Sequence, residues 1–270
     1  MISLKKGQYY GENYRKLNYD TYIITETTYT HSYVDWHYHE NPYFTFLLEG
    51  KLFEANKKKS YNLVAGNLLF HNWDDAHYNQ KSKDFTKGFH IELSQAWLKD
   101  HEIDLMPLQG SLHIHNPEII QKMCAILIES RINDTLSKTS IDLLLIDILE
   151  LKSSEKKAIT SSPVWIDKLT EILLDATTMD HTVNSLSTEL GIHPVYLSRA
   201  FHKHFGMSFG HYTRLLKLNR AIILMLTSKH SMTEIAYLSG FYDQSHFIGC
   251  FKKYYHTTPL QFLKKIESGY

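Results

Sequence analysis

The sequence predicts an α+β chain of two domains, and three observations carry the prediction. From Asp20 to Leu93 apolar residues recur with period two, the mark of strands half-buried in a sheet. From Val183 to Phe262 a helix, a tight turn and a second helix are written twice, about fifty residues apart. Between these regions KSSEKKAITSSP, from Lys152 to Pro163, is polar and rich in Ser and Lys, and reads as a linker. The expected boundaries are a domain over 1–154, a linker over 155–163 and a second domain over 164–270. A chain of 270 residues is long enough for two domains that each bury a core.

Composition sets loose bounds. Lys+Arg and Asp+Glu balance at 29 each, but residues 161–270 hold 11 basic against 8 acidic side chains and eight of the 17 His. That mild excess is too small to identify a polyanion partner by itself. Cys124 and Cys250 lie on apolar helix faces without close-spaced partners, so both are expected to be buried thiols in a reducing compartment. MISLKKGQYY lacks an apolar signal core, and no run approaches the roughly 18 apolar residues of a membrane span, so a cytoplasmic protein without a membrane partner is expected.

In chain order, the first twenty residues are Tyr-rich and polar and predict no element. TYIITETTYTH, YFTFLLEGKLFEAN, SYNLVAGNLLFHN and FTKGFHIEL then read as β-segments, with Gly50 and Gly66 near turns, and strands so spaced predict a small β-barrel or sandwich. Within them, WHYHENPYFTFLLEG and GNLLFHNWDDAHYN resemble the two signature motifs of the cupin barrel. His37 and His39 match the paired histidines of the first motif, Gly50 its closing glycine, Gly66 the glycine of the second motif and His77 its histidine. The acidic ligand of the first motif falls on Tyr43, and the Pro and Gly of the second fall on Asn72 and Asp74. The resemblance spans about sixty residues and implies a divalent metal on His37, His39 and His77. Strand positions i and i+2 do project to one face, and a third strand can add an imidazole. Glu40 points to the opposite face and is a poor substitute for the missing acid. The competing reading makes these residues part of a pocket among Trp36, Tyr38, Trp73 and Tyr78. His37, His39, Tyr43, Trp73 and His77 would then line a site for a small organic ligand.

After Leu93 the period becomes helical. SQAWLKDHEI predicts a short helix, Pro107–Gly110 a turn, Asn116-Pro117 the start of a helix, and Thr139 or Ser140 the start of another running to about Leu151. Ile141, Leu144, Leu145, Ile148 and Leu149 make a stripe that Leu143, Ile146 and Leu151 widen, so this helix can serve a second neighbour, either within the chain or outside it.

The duplicated pattern begins after a helix expected within Val164 to Ala176. In VNSLSTELGIHPVYLSRAFHKHFG, Leu186 and Leu190 face inward, Gly191 permits a left-handed turn, Ile192 plugs the corner and Pro194 opens the second helix. In MTEIAYLSGFYDQSHFIGCFKKYYHTTP, Ile235, Ala236 and Leu238 face inward, Gly240 turns, Phe241 plugs and Asp243 caps the next helix. Phe247, Cys250, Phe251 and Tyr254 form that helix's inner stripe. SFGHYTRLLKLNRAIILMLT reads as the long helix joining the two units. These strings, above all Gly240 to Pro259, resemble the AraC/XylS family of bacterial regulators, over about a hundred residues. The resemblance implies a DNA reader at the C-terminus of a sensor and dimerisation domain, with RNA polymerase as a partner and a homodimer; the sequence leaves open whether the protein is a gene activator or a repressor. The family often carries Arg where this chain has Gly249.

Two reader helices entering successive major grooves about 34 Å apart would read a site close to two turns long. Val195, Ser198, Arg199, His202 and Lys203 would serve the first, and Gln244, Ser245, His246, Ile248 and Lys252 the second. The expected function is a sequence-specific DNA-binding transcription regulator, not an enzyme, controlled by a small molecule in the N-terminal barrel. A metal-dependent cupin enzyme with a helical accessory domain is the alternative.

Overall fold

The computed structural model describes residues 2–72, 75–158, 164–174 and 181–268. Trp73, Asp74 and the last part of the expected linker, 159–163, lie outside the described residues. The chain divides into two compact units, one of residues 1–114 with 122–153, the other of 115–121 with 154–268.

The first unit is built on strands β1 (Ile2–Leu4), β2 (Glu12–Asn18), β3 (Tyr22–Thr28), β4 (Tyr33–His39), β5 (Tyr43–Glu49), β6 (Lys51–Asn56), β7 (Ser60–Val64), β8 (Leu68–His71), β9 (His77–Lys81), β10 (Lys87–Leu93) and β11 (Ser111–Ile114). They form a five-stranded sheet in the order β1-β4-β9-β6-β7 and a six-stranded sheet in the order β11-β8-β5-β10-β3-β2. Among the described residues the sheets are not joined edge to edge, so the expected barrel is realised as two facing sheets, the jelly-roll solution to burying two apolar faces. Leu47, Leu52, Leu63 and Leu69, drawn from both sheets, pack together between them. β5 is flanked by β8 and β10 and is buried along almost its whole length, whereas the edge strand β2 alternates between exposed and half-buried positions. Gly50 makes the β5–β6 turn at φ 78°, and a side chain there would run into the Phe85 carbonyl and the Thr86 hydroxyl.

Four strands carry no period-two signal. β1 and β2 lie in the polar leading segment, and β1 is held by parallel pairing to β4. β9 reads HYNQK and is a strand because β4 and β6 pair it on both sides. β11 has four residues and pairs with β8 after the turn at Gly110.

Helix α1 (Gln95–Asp100) is capped by Ser94, whose hydroxyl accepts from the Trp97 N–H. Helix α2 (Pro117–Ile132) opens where Asn116-Pro117 predicts. Helix α3 (Ser137–Ala158) starts two residues before Thr139 and continues through Ala158, so 152–158, expected as linker, is helical. Glu155, Lys156, Lys157 and Ala158 are good helix formers, and no Gly or Pro intervenes before Pro163. On α3, Ile141, Leu145, Ile148 and Leu149 are buried, while Leu143 is 61% exposed.

The second unit contains α4 (Val164–Leu174), α5 (Val183–Leu190), α6 (Pro194–Phe205), α7 (Phe209–Thr227), α8 (Met232–Leu238), α9 (Gln244–Tyr255) and α10 (Pro259–Ser268). Leu169, Leu186, Leu197, Phe201, Tyr212 and Leu215 pack as one core that draws on α4 to α7. Thr182 and Ser185 cap α5 reciprocally, and Ser231 and Glu234 do the same for α8. Gly191 closes α5 at φ 66°, and Pro194 occupies the first turn of α6. Two inward positions differ from expectation. Leu238 is 37% exposed because Ser239, one turn after Ile235, takes the buried place at the end of α8. Cys250 is half-buried at the margin of the Phe247–Phe251 stripe, whereas Cys124 is fully buried and its thiol is pushed up to about 12 by burial.

Candidate nucleic-acid interface and buried histidine cluster

Each helix-turn-helix copy presents its second helix outward. On α6, Leu197 and Phe201 anchor the inner face, which leaves Val195, Ser198, Arg199, His202 and Lys203 exposed. His193 caps this helix, its Nδ1 accepting from the Val195 N–H at 3.3 Å. On α9, Asp243 caps the helix by accepting from the His246 N–H at 2.7 Å, and Phe247 and Phe251 are buried. Ser245, His246 and Lys252 are then exposed, while Gln244 and Ile248 are half-buried. Gln244 is also engaged within the domain, accepting from the Thr233 hydroxyl at 2.7 Å. Gly249 is exposed, and a Cβ there would meet nothing within 4 Å. Sequence reasoning passed over Tyr237 and Tyr242, which are 79% and 91% exposed beside the second turn. Their position next to Gly240 was the available signal.

The facing sheets enclose a second constellation. His37 and His39 project inward from β4 by the two-residue alternation, and His77 comes from β9, the neighbour of β4. The ligating nitrogens of these three lie within 4.8 Å of one another. Tyr43 is buried and donates its hydroxyl to His77 Nε2 at 3.0 Å, filling the place of the acidic ligand. His37 Nδ1 donates to the Asp35 carbonyl at 2.8 Å and His77 Nδ1 to that of Asp75 at 2.9 Å, which leaves Nε2 of each as a lone-pair acceptor. Tyr38 is half-buried and Glu40 exposed, both on the face away from the histidines. Trp36 and Tyr78 pack on each other at 5.2 Å.

Three further residues join the cluster that the motifs do not mark. His90 comes from β10, His71 from β8 and Glu54 from β6. His90 lies under the ring of Tyr9 at 4.1 Å, and its ring nitrogens meet the hydroxyls of Tyr29 and Thr45. His71 stacks on Tyr43 at 4.2 Å. Burial lowers all five histidines, His77 to about 4 and His90 to about 3, with neighbouring imidazoles adding to the effect on His39, His71 and His77. Glu54 is raised, first by burial and then by Asp75. The 3.5 Å contact of His71 Nε2 with Glu54 Oε1 is therefore a neutral contact and not an ion pair.

Between His37, His39, Tyr43, His77 and His90 lies a cavity of about 20 Å³, space enough for a water molecule and too small for an organic ligand. Tyr9 and Tyr10 line it from the leading segment. That segment is fastened by Glu92, whose carboxylate accepts from the Gly7 N–H at 2.6 Å and the Asn41 amide at 2.9 Å. The motif triad offers three neutral nitrogens, a set that can hold a divalent ion, and the Tyr43 hydroxyl donates to one of them where the motif's acid would stand.

Residues 186–265 match the family described as a helix-turn-helix domain. Over 112 residues the chain is 28% identical to the transcriptional activator RhaS of Salmonella paratyphi B, covering 42% of this chain and 40% of that one. Over 180 residues it is 25% identical to the transcriptional regulator MtrA of Neisseria gonorrhoeae, covering 62% and 60%. It is 35% identical over 69 residues to an uncharacterised helix-turn-helix regulator of Haemophilus influenzae, covering 26% of this chain and 23% of that one. Among solved structures, ToxT from Vibrio cholerae is similar over 91% of this chain and 98% of its own at 15% identity, with a TM-score of 0.42. The chain thus spans about a quarter to three fifths of these curated relatives. Its fold and outward-facing helices define a tandem helix-turn-helix protein with an N-terminal double β-sheet domain. The match over residues 186–265 agrees with the expected likeness of the C-terminal domain to AraC/XylS regulators.

Proposed function

We propose that the protein is a sequence-specific DNA-binding transcription regulator whose N-terminal unit senses a ligand. One observation carries the reading: both second helices are capped at their N-termini and turn their polar faces to solvent, the presentation that a major-groove reader needs. Arg199, Ser198, Val195 and His202 read the first groove segment, with Lys203 on phosphate. Ser245, His246 and Ile248 read the second, with Lys252 on phosphate and Gln244 after it releases Thr233. The relatives named as transcriptional regulators support the same class.

The proposed sensor is the double sheet. His37, His39, Tyr43 and His77 line its cavity, and an effector larger than water enters by displacing Tyr9 and Tyr10. Occupancy there biases DNA binding through differential affinity of the ligand for two states of the chain. Activation through RNA polymerase and assembly as a homodimer, with α3 in the interface, complete the proposal. No helix among the described residues is long and apolar enough to cross a membrane, in keeping with a cytoplasmic site of action. The test is genome-wide mapping of bound sites followed by titration of the purified chain against the recovered sequences. A specific motif close to two helical turns long is expected. A chain that bound all duplexes alike at physiological salt would defeat the reading.

A further inference from the structure

Glu54 and His71 sit side by side in the interior and neither role described so far uses them. Each is 1% exposed. Among the described residues Glu54 Oε1 and His71 Nε2 meet no hydrogen-bond partner, although an unsatisfied buried polar atom is costly to retain. They come from different sheets: Glu54 faces inward from β6, and His71 ends β8, directly across from Tyr43 in register. His77 completes a triangle with them, and one ligating atom from each of the three lies within 4.8 Å of the others.

The outer partners fix which atoms point into that triangle. The Ser111 hydroxyl donates to the Asp75 carboxylate, so its oxygen is free to accept from His71 Nδ1 at 3.1 Å. His77 Nδ1 donates to the Asp75 carbonyl. Both rings thus carry their proton on Nδ1 and turn an Nε2 lone pair inward, that of His77 accepting from the Tyr43 hydroxyl. Without a cation the 3.5 Å contact of His71 Nε2 with Glu54 Oε1 is held by a neutral carboxyl, whereas a cation between them would let Glu54 ionise and would take a lone pair from each. Histidines oriented by hydrogen bonds from the far nitrogen are the usual surroundings of a bound metal.

We infer that Glu54 Oε1, His71 Nε2 and His77 Nε2 form a binding site for a divalent first-row transition metal ion. The set is two imidazoles and one carboxylate, which suits zinc or ferrous iron and disfavours the all-oxygen preferences of magnesium and calcium. It supplies the negative charge that His37, His39 and His77 lack. A modest contraction brings the ligands to bonding distance, and the Tyr43 hydroxyl then turns from His77 to the ion or to a water bound on it. The site is independent of the DNA-reading assignment, because metal uptake is read without DNA.

Full-length protein stripped with chelator is titrated with Zn(II) by calorimetry and with Co(II) by visible absorption. One equivalent is expected, with cobalt bands of tetrahedral intensity and X-ray absorption on the zinc form counting two histidines. Glu54→Gln and His71→Gln should abolish uptake, and Ser111→Ala should weaken it by roughly 10–100-fold. His37→Gln and His39→Gln should leave it unchanged. Absence of uptake by the parent, or loss of uptake with His37→Gln or His39→Gln, overturns the assignment. Circular dichroism of each metal-free variant checks its fold. Should Glu54→Gln not fold, the histidine count on the parent protein decides: three histidines overturn the site.

Discussion

At the scale of single residues, the clearest expectation concerns Arg199. It is exposed on the outer face of α6 and its planar fork matches guanine in the major groove. Arg199→Ala should weaken operator binding by about 1–3 kcal/mol and relax preference at one or two base positions, measured by titration against a panel of single-base variants. Unchanged affinity and preference would remove Arg199 from the reading surface. The buried histidines give a second expectation, in stability against pH. His77 is neutral when folded down to about pH 4 and His90 to about 3, whereas an exposed histidine in the unfolded chain protonates near 6.5. Between these values the unfolded chain binds more protons, so stability is full above about pH 6.5 and is lost as pH falls. For His77 alone the effect is roughly 3 kcal/mol across that window. Glu54 acts in the opposite sense, losing stability as pH rises, but it is one group against several. Urea unfolding at several pH values should show this, with a shallower dependence in His77→Gln. His37, His39 and His77 are legible in the sequence because motif spacing marks them. Glu54, His71 and His90 are not, because alternation along a strand tells which face a side chain takes but not what the opposite sheet brings to meet it.

Among the elements, α9 carries a residue that a helix interior disfavours. Gly249 lies in its interior, exposed, with open space where a Cβ would stand. Gly249→Ala should therefore stabilise the helix by about 0.5–1 kcal/mol, seen as a raised midpoint of the C-terminal unit's thermal transition. Gly249→Arg meets no obstacle within the domain, and it should tighten operator binding and steepen the salt dependence by about one phosphate equivalent. A variant that folds as the parent does yet binds DNA more weakly would mean that the glycine lets α9 approach the backbone closely. The helices were largely readable from sequence, since caps, turn glycines and a 3.6-residue stripe are local signals. β9 and β11 were not. Their partners, rather than their own residues, make them strands. The extension of α3 to Ala158 escaped for a related reason: a polar, Ser- and Lys-rich stretch is compatible with both a linker and an exposed helix end.

For the whole molecule, assembly and access are the open quantities. Leu136, just before α3, and Leu143, in its second turn, are 69% and 61% exposed, an apolar pair suited to a second copy of the chain. Light scattering of the full chain is expected to give a dimer, and Leu143→Lys a monomer with an unchanged circular dichroism spectrum. A parent protein that stays monomeric at micromolar concentration would refute the proposed homodimer. The leading segment bears on access. Residues 2–4 pair with 37–39, and Tyr9 stacks on His90 a few residues later, so the same short stretch braces the histidine strand and roofs the cavity. Anything larger than water must wait for that roof to lift. Uptake of an organic effector should thus be a gated process whose observed rate stops rising with concentration and levels off at the opening rate of residues 2–10. Loosening Gly7 from Glu92 by Glu92→Gln would raise that plateau without altering a single residue that touches the ligand.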